Sequence, residues 1–413
     1  MNDHEAQKVR EPTIGSLFGE EEMEAIRNAL INRSENLSWG HEVAEFEREF
    51  AQYCGAQYAV AVSSCSTGLD LCAHVLRLGR DDEVIATPQT FWATISALVA
   101  KGVRVRFADV DRSTLNIDPS TIERLVTERT KALYVVHYGG NPSNLEALRE
   151  IAKTHSLVLV EDCAHAPGAR FKGSRIGSGD LCCFSFQSYK NMTTLGEGGM
   201  VTTNQQRYAE ELRRLRHLGV VGEFTPRVTG HIGPYAKPDH GFMDHSFGSW
   251  DFDLAEMYAV GSNFRMPAIS AAVGSVQLRK LESNIAARRN VANLYGERLS
   301  LLPEIQPTPI ASGDTSSWHL YTCLLDPNSG IDRNKLLGDI RNSGTVEIVL
   351  RYMPLHLTNT LRKLGHAFGE CPVCERVWFE SQINLPIGPA FGEREVDIVV
   401  DALSAAIRHR RCT

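Results

Sequence analysis

A lysine follows a hydrophobic run in the segment FSFQSYKNMTTLGEGG, which extends from Phe184 to Gly199. This lysine, Lys190, stands among aromatic and hydroxyl side chains, and a glycine cluster comes shortly after it. Because removal from water favours the neutral, nucleophilic amine, a lysine in such surroundings is a candidate for forming a Schiff base with a carbonyl group. An ordinary surface lysine is the alternative for this segment taken alone.

Two further segments carry acidic or small residues directly after apolar runs. In LVLVEDCAHAPGA the run ends in Glu161 and Asp162, and ligands of open α/β sheets bind beyond the carboxyl ends of strands. A capping or turn role is the alternative for these acids. In AVAVSSCSTGLDL small residues separate a strand pattern from a helix pattern, so backbone amides there could bind an anion at the helix N-terminus. Neither the Walker sequence GxxxxGK nor the dinucleotide fingerprint GxGxxG is present.

The three segments together meet the requirements of one cofactor, pyridoxal 5′-phosphate. This cofactor needs an amine for its aldehyde, a carboxylate that keeps its pyridine nitrogen protonated, and donors for its phosphate. The sequence supplies small residues for the phosphate, then Asp162 at a strand end, then Lys190 after the following strand. The combination therefore predicts a pyridoxal-phosphate site.

The elements that must position these residues alternate between short β-rich runs and longer helical patterns. This alternation favours a mostly parallel sheet in an α/β domain, with apolar runs that suit strands covered on both faces. The predicted strands are Tyr58–Val62, Glu83–Ala86, Val103–Phe107, Ala132–His137, Leu157–Glu161, Leu181–Phe186 and Gly199–Thr203. A helix is predicted from Pro142 through Ile151, because Pro, Ser and Asn stand where helix-entry residues belong.

The pattern changes in the last half of the chain. A charged helix ends near His217, and the loop-rich stretch 219–250 follows it. Loops of this length are usually functional or disordered, and the aromatic content makes us expect a lid or a contact between subunits. The histidines of this stretch, His231, His240 and His245, are expected to be solvated loop residues.

A smaller α+β domain is predicted for the C-terminal part, because 413 residues exceed what one hydrophobic core usually holds. A long helix is predicted from Ile269 through Ile285, a short strand at Val346–Leu350, and a closing helix around Val396–Ile407. We expect residues 1–266, including an N-terminal arm, to form the large domain and residues 267–413 the small one.

Composition and charge exclude several classes of partner. Lys and Arg number 43 against 50 Asp and Glu, and the net charge of −7 predicts binding neither to nucleic acid nor to an anionic membrane. The polar start MNDHEAQKVREP and the absence of a long apolar run predict a cytoplasmic protein.

Ten cysteines are too sparse for a disulfide scaffold, and Cys371 and Cys374 lack the second pair that a structural zinc site needs. Structural thiols and no metal are therefore expected.

Over nearly its whole length the sequence resembles the DegT/DnrJ/EryC1/StrS family of aminotransferases, which act on sugars or aminocyclitols. The resemblance rests on the segments SWGHEVAEFEREFA, AVAVSSCSTGLDL, TPQTFWAT, RFADVDRSTLNID, EDCAHAPGA, FSFQSYK with GEGG, GSNFRM with AAVGSVQL, SWHLY, and NLPIGPAFGEREVD. It implies aminotransferase fold type I, pyridoxal 5′-phosphate as cofactor, and a homodimer whose active sites are shared between the subunits.

The resemblance also implies roles for individual residues around the cofactor. Lys190 would bind the cofactor aldehyde and then move the substrate proton, and Asp162 would pair with the pyridine nitrogen. Phe91 would stack on the ring, with its neighbour Trp92 as the less favoured stacking residue and a candidate substrate contact. His165 would lie close to the phenolic oxygen of the cofactor.

Phosphate and substrate contacts complete the implied site. The residues implied to hold the phosphate are Ser64, Cys65, Ser66, Ser185 and, from the neighbouring subunit, Asn263. His319, in SWHLY, is implied to contact the substrate. Arg265 and Arg351 are candidates for binding a diphosphate, with an ordinary salt bridge as the alternative for each.

At four places the chain departs from the usual pattern of the family. The family has Gly-Thr where Cys65 and Ser66 stand, a change that leaves the phosphate-binding amides in place. It often has Gln where His165 stands, and histidine here resembles the members that act on aminocyclitols. Gln187 replaces a common histidine, and the stretch 219–250 is longer than expected and could change the substrate class.

The resemblance implies an aminotransferase that moves an amino group from L-glutamate or L-glutamine to a keto-sugar, usually nucleotide-linked, or to a keto-cyclitol. A sugar dehydratase of the same family is one alternative, although those members carry histidine in place of the lysine that is present here as Lys190. A non-catalytic sugar sensor on the same fold is another. A Rossmann dehydrogenase is disfavoured because GxGxxG is missing.

Overall fold

The computed structural model describes residues 8–31, 37–38, 40–219 and 259–412. The strands are β1 (Tyr58–Val62), β2 (Glu83–Ala86), β3 (Arg104–Phe107), β4 (Thr130–Val136), β5 (Val158–Asp162), β6 (Arg170–Phe171), β7 (Ser174–Arg175), β8 (Leu181–Ser185), β9 (Gly199–Thr203), β10 (Ile305–Pro307), β11 (Tyr321–Leu325) and β12 (Gln382–Leu385). The α-helices are α1 (Glu20–Ile31), α2 (His41–Cys54), α3 (Cys65–Val75), α4 (Ala93–Ala100), α5 (Leu145–Thr154), α6 (Gln206–Leu215), α7 (Ala268–Leu299), α8 (Arg333–Ser343), α9 (Asn359–Lys363), α10 (Pro372–Arg376) and α11 (Glu393–Cys412).

The largest sheet has seven strands in the order β1-β9-β8-β5-β4-β2-β3. Its β2–β3, β2–β4, β4–β5 and β5–β8 pairs are parallel, and β9 runs antiparallel to both β1 and β8. The prediction of a mostly parallel α/β sheet is confirmed, and each of the seven predicted strands forms with ends within two residues of the prediction. Since β1, β4, β5 and β8 run in the same direction, their carboxyl ends meet at one edge.

Capping residues fix where the helices near that edge begin. The Ser64 side chain accepts the Thr67 N–H while the Thr67 hydroxyl accepts the Ser64 N–H, a reciprocal cap that starts α3 directly after β1. The Asn144 side chain caps α5, so this helix begins at Leu145, three residues later than the predicted start at Pro142.

Helix α7 contributes to two hydrophobic cores. Leu278 and Leu281, in its first half, belong to the core beneath the seven-stranded sheet, whereas Val291 and Tyr295, in its second half, belong to the C-terminal core. That second core is built around the antiparallel sheet β10-β11-β12 with helices α8 and α11. The α+β character of the C-terminal part agrees with the prediction, and the division at residue 266, just before α7, remains a prediction.

The predicted strand Val346–Leu350 is wrong. Val346 forms one parallel bridge with Val9, and the backbone hydrogen bonds around it are Val9 N–H to Thr345 O (2.9 Å) and Glu347 N–H to Val9 O (2.8 Å). The pairing stops after this one bridge. The residues that follow have side chains that favour strands, but none of the described residues forms a strand beside them.

None of the helices in the described ranges is both long and apolar enough to cross a bilayer.

Candidate active site

A cavity of about 380 Å³ opens where the carboxyl ends of β1, β4, β5 and β8 meet. This volume lies within the range of small-molecule sites. Nine residues that the sequence singled out as site candidates line the cavity: Ser64, Cys65, Ser66, Phe91, Asp162, His165, Ser185, Lys190 and Arg351. Folding therefore brings the three chemically interesting segments to one place.

Lys190 lies in the turn region that follows β8, where its N–H donates to the Gln187 carbonyl oxygen at 2.8 Å. Burial lowers the pKa of its amine to about 8, the carboxylate of Asp162 opposes this shift, and the guanidinium of Arg351 adds to it. A pKa near 8 leaves part of the amine neutral at physiological pH. That neutral fraction is what nucleophilic attack on an aldehyde requires.

Asp162 ends β5 and is almost completely buried. The Thr94 hydroxyl donates to its Oδ2 at 2.7 Å, and the Ala164 N–H donates to its Oδ1 at 3.1 Å. The Thr90 hydroxyl lies 2.7 Å from that of Thr94, and because the Thr94 proton points to the carboxylate, Thr90 is the donor of this pair. The network fixes the orientation of the Asp162 carboxylate at the cavity wall.

The thiol of Cys65 lies on the other side of the same carboxylate, with its Sγ 3.7 Å from Asp162 Oδ1. Burial raises the pKa of this thiol well above its ordinary value, and the charge of Asp162 raises it further. The thiol therefore keeps its proton at neutral pH and acts as a weak donor. The side chain of Cys65 thus adds a contact to the Asp162 carboxylate.

The N-terminus of α3 forms the end of the cavity next to β1. Its first backbone amides, at Cys65 and Ser66, have no acceptor inside the helix, and the helix dipole places partial positive charge there. Gly199 lets β9 approach this turn, because a Cβ at position 199 would lie 2.4 Å from the Ser64 carbonyl carbon and 2.6 Å from the Cys65 nitrogen. These amides, together with the Ser185 side chain, provide the elements of an anion site.

His165 is buried in a column of rings beside the cavity. Burial lowers the pKa of His165 well below its ordinary value, and the charges of Lys190 and Arg351 lower it further, so the ring is neutral. The Gly139 N–H donates to His165 Nδ1 at 3.3 Å, which leaves the proton on Nε2, 3.2 Å from the Tyr352 hydroxyl. The Tyr352 ring stacks nearly parallel to His165 at a centroid distance of 5.8 Å.

Aromatic rings flank the mouth of the cavity. The Phe91 side chain is 57% exposed, and its ring centroid lies 5.9 Å from that of Tyr352. Arg351 lies beside them, with its guanidinium carbon 5.8 Å from the Tyr189 ring centroid. The exposed side chain of Phe91 therefore offers an apolar surface at the mouth that a planar ligand or another chain can contact.

Four predicted site residues lie away from the cavity walls. His319 stacks behind His165 at 4.3 Å and its Nδ1 is 3.4 Å from Asn191 Oδ1. Trp92 packs against the hydrophobic core beside α4, and Arg265 contacts His217 Nδ1 at 2.6 Å.

Asn263, the fourth, is exposed, and it forms an isolated bridge with His217. The stretch 219–250 and its three histidines lie outside the described residues, except for Gly219. The roles given to the site residues remain predictions.

Sequence reasoning missed Thr94 and Tyr352 as parts of the site. Thr94 stands in TPQTFWAT, and its position three residues after Phe91, at the start of a helix, was a usable signal. Tyr352 follows the candidate Arg351 in the C-terminal part, with no chemical motif around it. Only the packing of the C-terminal part against the sheet edge brings it to the cavity.

Two other cysteine-containing groups are buried away from the cavity. His137, Glu161 and Cys163 place possible ligand atoms within 4.8 Å of one another. Both nitrogens of His137 are already engaged, Nε2 with Glu161 Oε2 at 3.1 Å and Nδ1 with the Ser143 N–H at 3.0 Å.

In the CPVC segment both cysteines are free and buried, and the Cys374 thiol donates to Gln89 Oε1 at 3.0 Å. The Asp109 carboxylate accepts the N–H groups of Val373 and Cys374, so the segment forms a capped turn of α10. These contacts agree with the expectation of structural thiols.

Comparison with known proteins gives a consistent result. Residues 17–404 match the model of the DegT/DnrJ/EryC1/StrS aminotransferase family. The uncharacterized protein MJ1066 of Methanocaldococcus jannaschii is 35% identical over 97% of this chain and 98% of its own length. Spore coat polysaccharide biosynthesis protein SpsC of Bacillus subtilis is 31% identical over 95% of this chain and 96% of its own. The crystal structure of the aminotransferase TlmJ from Streptoalloteichus hindustanus superposes with a TM-score of 0.83 at 29% identity, covering 97% of this chain and 99% of that one.

Proposed function

Because the chain belongs to the DegT/DnrJ/EryC1/StrS aminotransferase family, we propose that it transfers the amino group of L-glutamate or L-glutamine to a keto-sugar or a keto-cyclitol. The protein is a pyridoxal-phosphate-dependent aminotransferase of the sugar-aminotransferase type. A nucleotide-linked keto-sugar is the acceptor we favour, and the name of the relative SpsC, a polysaccharide biosynthesis protein, supports an acceptor of the sugar class.

The observation that carries the proposal is the convergence of an amine, a carboxylate and unbonded helix amides on one cavity. These are the three kinds of group that pyridoxal 5′-phosphate needs, so the residues present fit the cofactor. Lys190 would hold its aldehyde carbon, Asp162 its pyridine nitrogen, and the amides of α3 with Ser185 its phosphate. When bound, the cofactor supplies an electron-accepting ring and an aldehyde that carries the amino group.

The protein groups around the cavity then have distinct tasks. Lys190 moves a proton to and from the substrate carbon, which its lowered pKa of about 8 supports because both protonation states are accessible. Thr94 keeps the Asp162 carboxylate in one orientation. Arg351 presents a cation at the wall and is our choice for the carboxylate of the amino donor.

We further propose that two chains form the active unit. Asn263 is exposed and lies off the cavity of its own chain, which leaves it available to a neighbour. The exposed Phe91 at the mouth supports a second chain closing that side. In this arrangement Asn263 of the partner subunit would reach the phosphate. The test is analytical ultracentrifugation of the wild-type protein and of Asn263→Ala, with the cofactor affinity measured for both. If the protein is a dimer and Asn263→Ala leaves its affinity for the cofactor unchanged, this arrangement is contradicted.

One experiment tests the function. The purified protein is loaded with pyridoxal 5′-phosphate, converted by L-glutamate or L-glutamine to its amino form, and then offered keto-sugars and keto-cyclitols while the visible absorbance of the bound cofactor is followed. We expect the donor to bleach the absorbance and the right acceptor to restore it.

Lys190→Ala should abolish the cycle, whereas Lys363→Ala, at an exposed lysine, should retain it. Retention of both absorbance and turnover by Lys190→Ala, or a deoxy product in place of an amino product, would contradict the proposal.

A further inference from the structure

The described N-terminal segment, residues 8–19, connects the C-terminal part of the chain with the turn that carries Lys190. We call this segment the N-terminal arm. Near its start, Val9 is hydrogen-bonded to the 345–347 backbone. Pro12 then packs on Gly388, where a Cβ would lie 2.5 Å from the proline ring. The arm is therefore attached to the C-terminal part before it reaches the catalytic turn.

Gly15 makes the contact between the arm and that turn. Its N–H donates to the Ser188 carbonyl oxygen at 2.8 Å. A Cβ at Gly15 would lie 2.2 Å from the carbonyl oxygen of Tyr189 and 2.4 Å from that of Lys190. Real Cβ atoms essentially never approach backbone so closely, so any side chain at this position must push the arm and the lysine turn apart.

Arg288, on α7, fixes Gly15 from the other side. Its side chain is almost completely buried and donates to three carbonyl oxygens, those of Gly15 (2.7 Å), Trp318 (3.1 Å) and Ile387 (3.3 Å). Its positive charge is balanced in part by Glu11 on the arm, whose carboxylate also lies near Arg351. One guanidinium thus joins the arm to the loop before β11 and to the segment after β12.

We propose that the N-terminal arm positions the catalytic lysine, with Gly15 setting where the backbone of Lys190 lies. This inference rests on the proposed function only in that Lys190 is taken as the catalytic amine. The physical reason is that catalysis requires the reacting atoms to be held at close distance and in the right orientation. A displacement of a catalytic group by about 1 Å can lower the rate about 100-fold. Gly15 is a positioning residue, since it contacts the backbone of the lysine turn and does not itself line the cavity.

A matched pair of glycine variants tests the proposal. In Gly15→Ala the new methyl group must push the arm and the lysine turn apart. In Gly19→Ala, on the same arm, it would lie 3.6 Å from Lys280 Nζ and 3.8 Å from Glu22 Oε2, both ordinary contacts. We expect Gly15→Ala to lower kcat about 10- to 100-fold with the donor KM changed far less, and Gly19→Ala to behave like the wild type.

A second readout avoids the loaded enzyme. In the cofactor-free protein, brief acylation at a series of pH values followed by peptide mass spectrometry reports how reactive the Lys190 amine is. Displacement of the turn in Gly15→Ala should move the midpoint of the Lys190 reaction upward, and a midpoint that is higher by about one pH unit means about tenfold less reaction near neutral pH. A purely structural role for Gly15 would lower the thermal midpoint and leave the Lys190 profile unchanged.

The outcomes separate the two proposals. A Gly15→Ala protein with a wild-type Lys190 profile and wild-type kcat would overturn the role of the arm. A changed Lys190 profile in Gly15→Ala would support the arm even if the wild type transaminated no keto-sugar, an outcome that contradicts only the proposed function. If Gly15→Ala does not fold, Arg288→Lys decides, because it retains the charge but cannot reach all three carbonyls: an unchanged Lys190 profile in that variant would overturn the proposal.

Discussion

Replacement of Asp162 and of Arg351 should move the pKa of the Lys190 amine in opposite directions. Burial is the main reason that this pKa lies near 8 and not at its ordinary 10.5. The carboxylate of Asp162 raises the pKa and the guanidinium of Arg351 lowers it. Asp162→Asn should therefore lower the Lys190 pKa further, and Arg351→Gln should raise it.

The size of the effect follows from the pKa of the wild type. With a pKa of about 8, about one amine in ten is neutral at pH 7, whereas with the ordinary value of 10.5 the fraction is about one in 3000. The fold thus makes the Lys190 amine about 300-fold more available at neutral pH. The two variants should change this factor in opposite directions, about tenfold for every pH unit by which the midpoint moves.

The assay is acylation of the cofactor-free protein between about pH 6 and pH 11, a range that spans both the shifted and the ordinary lysine pKa. Peptide mass spectrometry quantifies Lys190, and exposed lysines in the same digest, such as Lys363, serve as internal references. We expect a midpoint near pH 8 for Lys190 in the wild type. A wild-type midpoint near 10.5, or a shift in the same direction in both variants, would refute the electrostatic reasoning.

Two further predictions concern the carboxylate network and the arm. Thr94→Val removes the 2.7 Å hydrogen bond to Asp162. Since a hydrogen bond to a charged group is worth about 1.5–3 kcal/mol, we expect kcat to fall by at least about tenfold. Ser96→Ala, on the same helix, is the control and should retain the wild-type kcat. Burial raises the pKa of Glu11 from 4.5 to about 7, so the folded state binds an extra proton between these values and loses stability as pH rises through that window. Between pH 5 and pH 8 the thermal midpoint of Glu11→Gln should therefore fall less than that of the wild type. Glu20→Gln, at an exposed glutamate, is the control and should behave like the wild type. An equal fall in Glu11→Gln and the wild type would count against the raised pKa of Glu11.

The strands of the large sheet could be predicted because each is a short, continuous apolar run with turn residues on both sides. Such patterns depend only on residues that are close in sequence, as do the apolar run that ends at Asp162 and the helix cap formed by Ser64 and Thr67. Val346–Leu350 shows the limit of such patterns. Its β-branched residues suit a strand, but a strand needs a partner, and a single bridge to Val9 is what the packing of the arm provides.

The less predictable part of the site comes from segments far apart in the chain. Tyr352 and Arg351 reach the cavity from the C-terminal part, and His319 lies behind His165 and not at the cavity wall. The contact of Gly15 with the lysine turn joins residues separated by most of the large domain. No local pattern marks these pairs, because their contacts depend on how complete elements pack.

The sequence by itself determined the kinds of groups available, a lysine, a strand-end carboxylate and small residues at a helix start, and the order of elements that carry them. Only the tertiary structure decided their properties. The lowered pKa of Lys190 depends on how much water is removed from it and on the charges of Asp162 and Arg351 around it. Desolvation and charge proximity are properties of three-dimensional packing, so the reactivity of the lysine is set by the fold.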